Sequence, residues 1–371
     1  MLILSKKIFL NLWNNLRCYQ LKIYSLDLSG GNDKMKRIIC LTIIIAYVFS
    51  GMALAQFSKR GTSGAQFLKI GVGARAQGMA GAFTAIANDA SALYWNPAGV
   101  ARISSNELIF SYTDWFADIN HTYVGFVYNT GTLGNFGISL TAVTMGEMEV
   151  TTPEEPQGTG NFFNASDFAV GLTYAKNMTD RFSFGIKLKI IRESIWDMSA
   201  TAVAVDLGTI YDIGFNGLKL AMNMANFGNE MKFSGAGLLT QYNAFPEAGN
   251  VAPIDANMKT TPYPLPMTFR FGLSYGWDPF GESVNITECV EFVKTNDRVE
   301  ALIIGAETAV MDIFFIRAGF NTVQQEQQEE SFSAGVGLNF SFNNYKGTFD
   351  YAFTDFGRLQ SIHRFSFGFS F

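Results

Sequence analysis

The chain ends Ser361-Ile362-His363-Arg364-Phe365-Ser366-Phe367-Gly368-Phe369-Ser370-Phe371. Phe365, Phe367, Phe369 and Phe371 alternate with Arg364, Ser366, Gly368 and Ser370. A period of two puts the four rings on one face of an extended strand and leaves the other face polar or small. The same alternation recurs upstream. Phe332, Ala334, Val336, Leu338, Phe340 and Phe342 interleave with Ser333, Gly335, Gly337, Asn339 and Ser341. Phe269, Phe271, Leu273 and Tyr275 repeat it, as do Phe182, Phe184, Ile186, Leu188 and Ile190. From Asn106 onward there are 14 such runs, starting near residues 106, 121, 134, 165, 181, 199, 216, 262, 283, 299, 313, 330, 345 and 361. Each is roughly 9–15 residues, enough to cross a bilayer at a tilt. An even count closes an antiparallel barrel with both ends on the same side. The run at 283 is the weakest, because Glu288 and Glu291 interrupt it, and it is expected to extend beyond the membrane.

Loop lengths sort by parity. The long connections, near 145–164, 228–261 and 322–329, follow the third, seventh and eleventh runs. Connections after even runs are short, such as Asn177 to Asp180, Gly214-Phe215, Met311-Asp312 and Asn343-Asn344. Short turns on one side and long loops on the other mark an outer-membrane barrel. Composition agrees. Charged residues are 16% of the 371, below the roughly 25% of soluble domains, while Phe, Trp and Tyr reach 15%. The mean hydropathy is only +0.12, and no apolar run past residue 55 is long enough for a spanning helix. The aromatic content argues against disorder. The net charge of −5 and a pI near 5.2 argue against nucleic-acid binding. The expected fold is all-β, a 14-stranded antiparallel transmembrane β-barrel over residues 106–371.

Residues 35–55 read as a secretory signal peptide. Met35-Lys36-Arg37 is a basic start, Ile38 to Phe49 an apolar stretch, and Ala53-Leu54-Ala55 a cleavage site before Gln56. Residues 1–34 match no part of that signal, so translation is expected to start at Met35 and 1–34 to be a non-native extension. Removing 1–55 takes away seven Lys/Arg and two Asp, leaving a net charge of −10. Of Cys18, Cys40 and Cys289 only the last remains, so no internal disulfide is possible.

Residues 56–105 do not alternate. They hold Gln66-Phe67-Leu68-Lys69-Ile70-Gly71-Val72-Gly73-Ala74-Arg75-Ala76 and, further on, Asn88-Asp89-Ala90-Ser91-Ala92-Leu93-Tyr94-Trp95-Asn96-Pro97-Ala98-Gly99. Dense small residues suit close packing inside a lumen. Asp89 is placed to cap a short helix running through Leu93. Asn96-Pro97 reads as a turn, with Pro97 suited to open another helix. The segment is therefore expected to be an N-terminal plug, or hatch, of short helices, with Asp89, Ser91, Asn96, Pro97 and Gly99 as its motif. The 88–99 stretch resembles the hatch of the FadL family of outer-membrane proteins, and 66–76 resembles its PorV/PorQ branch. The resemblance is dense over 61–102. It implies a plugged 14-stranded barrel in the outer membrane, reached through a Sec-type signal peptide. FadL members pass hydrophobic molecules through a kinked strand, whereas PorV-like members receive the C-terminal domains of cargo in type IX secretion.

Catalytic signatures are poor. His121 and His363 fall near strand starts, where barrel rims often carry His, and too few ligands surround them for a metal site. No nucleophile elbow or paired-histidine zinc motif is present. Asp355-Phe356-Gly357 and Gly71-Val72-Gly73 lack the context of a kinase or phosphate loop. No enzyme activity, cofactor or metal is expected. By parity Lys187, Lys189, Arg270, Arg317 and Arg364 point inward, as do Asp167, Asp206, Glu307 and Asp350; burial calls for mutual neutralisation, so they are expected to pair and hold the plug. Phe233, Leu238, Leu239, Tyr242 and Phe245 in the longest loop are candidates for an outer binding surface or a lid. The expected partners are outer-membrane lipid, the barrel-assembly machinery acting through terminal Phe371, and either secreted cargo with secretion-machine subunits or a hydrophobic ligand; nucleic acid is not among them. The resemblance tips the expectation toward the secretion role, with a channel for hydrophobic small molecules as the alternative.

Overall fold

A computed structural model describes residues 61–371 except 216, 245, 246, 248–251, 322–331 and 344. The signal peptide, the 1–34 extension, residues 56–60 and Phe245 lie outside the described residues. Fourteen long strands follow the plug: β1 (Glu107–Asp114), β2 (Asn120–Asn129), β3 (Asn135–Thr144), β4 (Ala165–Asn177), β5 (Phe182–Ile195), β6 (Met198–Asp212), β7 (Lys219–Gly228), β8 (Thr268–Trp277), β9 (Val284–Thr295), β10 (Ala301–Val310), β11 (Phe314–Asn321), β12 (Phe332–Phe342), β13 (Tyr345–Asp355) and β14 (Ser361–Ser370). Each pairs antiparallel with its neighbours in sequence. β14 returns to β1 with Glu107 opposite Ser370 and Asp114 opposite His363, closing the barrel. Closure removes the sheet edges, which is what hydrocarbon requires of a spanning sheet.

The alternation sets the two faces. On β14 Phe365, Phe367 and Phe369 are exposed, while Arg364 and Ser366 are 1% exposed and face the lumen. Leu188 and Ile190 on β5 are exposed, and Lys187 and Lys189, which alternate with them, are buried. An exposed band of Phe, Leu and Ile around a closed barrel is stable only against lipid. Among the described residues no helix is long and apolar enough to cross a membrane; the strands cross it. Near the short-turn end outward rings stack, as in Phe126 on Phe371 and Tyr345 on Phe369, forming part of an aromatic girdle. The turn between β10 and β11 places Met311 and Asp312 at positive φ, the twist a two-residue hairpin favours.

Three expectations need correction. The run expected from 262 starts at Thr268. Pro262, Pro264 and Pro266 lack the N–H that a strand ladder needs, and the described residues between 229 and 267 fold instead as a cap over the long-loop end. In that cap Ser234–Gly235 pairs with β6, and Leu239–Tyr242 forms a hairpin with Ile254–Asn257. The acids of β9 do not interrupt its ladder, although Glu288 is exposed on the outward face. β9 pairs along its length with β8 and β10, and Glu291 turns inward. His121 is no rim residue: it is fully buried on the lumen face of β2, while His363 faces outward and its Nδ1 meets the Tyr351 hydroxyl at 2.7 Å.

The ladder is regular except between β6 and β7, where the register shifts between Val205 and Leu207. Asn226 sits there at φ 64, a backbone that Asn tolerates. Its amide N–H donates to Asp206 Oδ1 at 2.7 Å, and its Nδ2 donates to the Pro266 carbonyl at 2.9 Å. The bulge therefore ties wall, lumen charge and cap together.

Candidate functional site: a plugged lumen with two vestibules

Inside the barrel the plug runs as short pieces: a 3-10 turn over Gln66–Lys69, a helix over Ala74–Gly78, a helix over Ala92–Trp95 and a 3-10 stretch over Pro97–Arg102. Pro97 opens the last piece, as its fixed φ and missing N–H suit. Asp89 does not cap the 92–95 helix directly. It closes a turn one step earlier, its Oδ1 accepting the Ser91 N–H at 2.9 Å and also the Ser91 hydroxyl. Asn96 is fully buried and joins the plug to the wall. Its Oδ1 accepts the Ala98 N–H at 3.1 Å, and its Nδ2 donates to the carbonyls of Thr84 at 3.0 Å and of Thr209 on β6 at 3.2 Å. The wall makes room for it: a Cβ on Gly208 would stand 2.0 Å from Asn96 Oδ1. Gly99 lies as close to the plug itself, where a Cβ would meet the Ala87 carbonyl at 2.0 Å.

The lumen charges hold this plug. Arg75 makes a two-pronged contact with Glu307, Nη2 to Oε1 at 2.7 Å and Nε to Oε2 at 2.9 Å, and also reaches Asp89 Oδ2 at 2.8 Å. Arg317 bridges the same Glu307 to Asp350, both at 2.6 Å. Burial alone would lower the Arg75 pKa, but Glu307 and Asp89 outweigh it and hold the guanidinium above its ordinary value. Lys187 Nζ donates to the Leu93 carbonyl at 2.8 Å, near the C-terminal end of the 92–95 helix, where a cation is favoured. Lys189 pairs with Asp206 at 2.8 Å. Arg270 pairs with Glu291 at 2.7 Å, and the other Glu291 oxygen accepts the plug's Thr84 N–H at 2.9 Å. Arg364 Nη1 donates to Thr354 Oγ1 at 2.7 Å. Asp167 is half-buried beside its register partner Glu193.

Three contributors escaped the sequence reading: Arg75, Glu291 and Asp297. Asp297, in the connection from β9 to β10, anchors the start of the plug. Its Oδ2 accepts from Lys69 Nζ at 2.8 Å, from Gln66 Nε2 at 2.9 Å and from the Ser63 hydroxyl. Burial pushes its pKa up, but these three donors prevail and hold it below the ordinary carboxylate value. Burial draws Lys69 below its own ordinary value even as Asp297 pulls the other way.

The plug separates two cavities with no lining residue in common. The outer vestibule, at the long-loop end, is about 530 Å³. Aromatic side chains surround it: Tyr94 and Trp95 from the plug, Trp115 and Phe116 after β1, and Phe356 after β13. Trp115, Phe116 and Phe356 form a triangle with centroids 5.1, 5.5 and 5.2 Å apart. The inner vestibule, about 570 Å³, is lined by the Arg75–Glu307–Arg317 network. The loop candidates divide. Leu238 is buried and Phe233 is half-buried against Tyr263, both part of the cap, whereas Leu239 and Tyr242 are exposed. Among the described residues no group of three His, Cys, Asp or Glu side chains converges as a metal site.

Residues 46–204, less than half of the chain, match the model of an uncharacterised protein family, UPF0164. No curated protein matches the chain. Among solved structures, a deltaS2 mutant of the TodX monoaromatic hydrocarbon channel is similar with a TM-score of 0.52 at 13% identity, over 81% of this chain and 98% of that one. The P. putida toluene transporter TodX gives 0.50 at 10% identity, over 81% and 96%. A Pseudomonas aeruginosa FadL homologue gives 0.48 at 12% identity, over 80% and 97%. The chain thus shares the closed antiparallel barrel fold of the TodX structures, and its residues 46–204 match the UPF0164 model.

Proposed function

We propose that this barrel sits in the outer membrane with its long loops outward and admits small ring-bearing hydrophobic molecules to the outer vestibule. The observation that carries this is the ring of five aromatic side chains around a cavity of about 530 Å³, within the size range of ligand pockets. The similar solved barrels support it, being described as a toluene transporter and a monoaromatic hydrocarbon channel. The plug then acts as the floor of the site, and Trp95, whose Nε1 donates to the Val72 carbonyl at 2.9 Å, is its fixed aromatic face.

The secretion reading drawn from the PorV/PorQ resemblance has less support. It needs Phe233, Leu238, Leu239, Tyr242 and Phe245 to receive cargo C-terminal domains. Phe233 instead packs with Met231 and Leu265 in an apolar cluster shared with Phe67 and Leu68 of the plug and Ile191 of the wall, and Leu238 is buried. Calorimetric titration of the purified barrel with small aromatic probes, toluene and benzoate, tests the proposal. At least one should bind saturably, and Phe356→Ala should weaken it about threefold to tenfold, the scale of one aromatic contact. No saturable binding by either would refute it.

A further inference from the structure

We propose that the outer vestibule selects anionic arenes, small rings bearing a carboxylate or sulfonate, over neutral arenes and saturated acids. This rests on the ligand-site reading above and narrows it to one chemical class. Five basic side chains line the cavity, Lys69, Lys189, Arg270, Arg298 and Arg364, and no Asp or Glu does. The whole chain carries a net charge of −5, so the imbalance is local and not a reflection of composition.

The arrangement of the ion pairs explains how so many cations are gathered. Lys69, Lys189 and Arg270 are held by Asp297, Asp206 and Glu291, at 2.8, 2.8 and 2.7 Å. None of those carboxylates lines the cavity, so each pair presents its cationic member to the vestibule. Arg298 stands exposed at the mouth, close enough for its charge to weigh on Lys69.

Cation and ring are presented together. The Arg270 guanidinium lies 4.8 Å from the Trp95 ring centroid, and that of Arg364 lies 5.6 Å from the Trp115 centroid. A ligand ring seated among Trp95, Trp115 and Phe356 brings its substituent within reach of a guanidinium. A neutral hydrocarbon fills the same space but accepts nothing from the cationic donors, whereas a monoanion gains charge-assisted hydrogen bonds from them. The preference ends at the plug: the inner vestibule is lined by five acidic residues, Asp89, Glu107 and Asp312 among them, against three basic ones.

The test is calorimetry on the intact, detergent-purified barrel with three probes: benzoate, toluene and cyclohexanecarboxylate. Benzoate should bind about tenfold or more tightly than either of the others. The margin over toluene should shrink at high salt. Arg298→Gln, at an exposed position that leaves the plug contacts in place, should weaken benzoate about threefold to tenfold and leave toluene unchanged. Toluene binding as tightly as benzoate, or cyclohexanecarboxylate matching it, would overturn the proposed class while the ligand-site reading survives. An Arg298→Gln barrel that loses both aromatic probes alike would also overturn it. Saturable binding by none of the three would overturn both.

Discussion

Arg75→Met should release the plug without unmaking the barrel. Arg75 contributes two hydrogen bonds to Glu307 and one each to Asp89 and Asn88, between 2.7 and 2.9 Å. Its side chain is 20% exposed and that of Glu307 is 7% exposed, so solvent screens the contact only in part. Removing one partner of a buried pair costs about 3–5 kcal/mol, mostly because the other charge is left uncompensated. Arg317 still reaches Glu307 at 2.6 Å, so the lower end applies, ~3 kcal/mol. That corresponds to an increase of about 100-fold in the undocked population. A native reporter lies at the contact. The Cys289 thiol is buried on the lumen face of β9 and donates to the plug carbonyl of Ala82 at 2.8 Å. When opening is rapid relative to labelling, the maleimide reaction of Cys289, followed by peptide mass, reports the undocked fraction. The expected result is labelling accelerated by about two orders of magnitude, with the barrel's resistance to dodecyl sulfate at room temperature retained. Adding Glu307→Gln should recover much of the protection, since the uncompensated carboxylate is then gone. Unchanged labelling in Arg75→Met, or no recovery in the double variant, would refute the latch.

Gly208→Val places a Cβ 2.0 Å from Asn96 Oδ1 and should undock the Asn96-Pro97 turn, exposing Cys289 to maleimide while the folded barrel is kept. The Asp297 anchor should show a pH step. Its folded pKa lies below the unfolded value, so its contribution is complete above the ordinary carboxylate range and is lost as pH falls through the folded pKa. Proteolysis of the plug's start should therefore rise only in acid, and Asp297→Asn should abolish that step and leave the segment as loose at neutral pH as the parent is in acid. Removing the ring of Phe371 should lower the yield of assembled barrel severalfold in cells while leaving refolding in detergent little changed, if the terminal aromatic is read by the assembly machinery; equal yields would count against that role.

The barrel was legible because lipid leaves a strict mark on strands. With one face of each strand against hydrocarbon and the other against the plug, β5, β12 and β14 alternate cleanly, and parity alone assigned nine charged residues to the lumen; the structure turns Lys187, Lys189, Asp206, Arg270, Glu307, Arg317, Asp350 and Arg364 inward and leaves Asp167 half-buried. Parity says which way a side chain points and nothing of its partner. Arg75 meets Glu307 across 232 residues, and Thr84 meets Glu291 across 207. Pairings of that separation leave no periodic trace, so Glu291 read as a flaw in a strand when it is a plug contact. The start of β8 failed for a different reason. Three prolines in 262–266 withhold ladder donors, so β8 begins only at Thr268, and Met231, Phe233 and Leu265 pack against the plug and wall as part of a cap. In the plug the local chemistry of Asn96-Pro97 was readable as a turn, whereas its docking through Thr209 and Gly208 was not.

The most direct test of the account is to purify the barrel from membranes in mild detergent and identify by mass spectrometry what accompanies it. The account predicts a small aromatic compound bound at a defined ratio, displaced by benzoate, with no stoichiometric protein partner. Secreted proteins sharing a C-terminal domain, or secretion-machine subunits in fixed proportion with an empty vestibule, would contradict it.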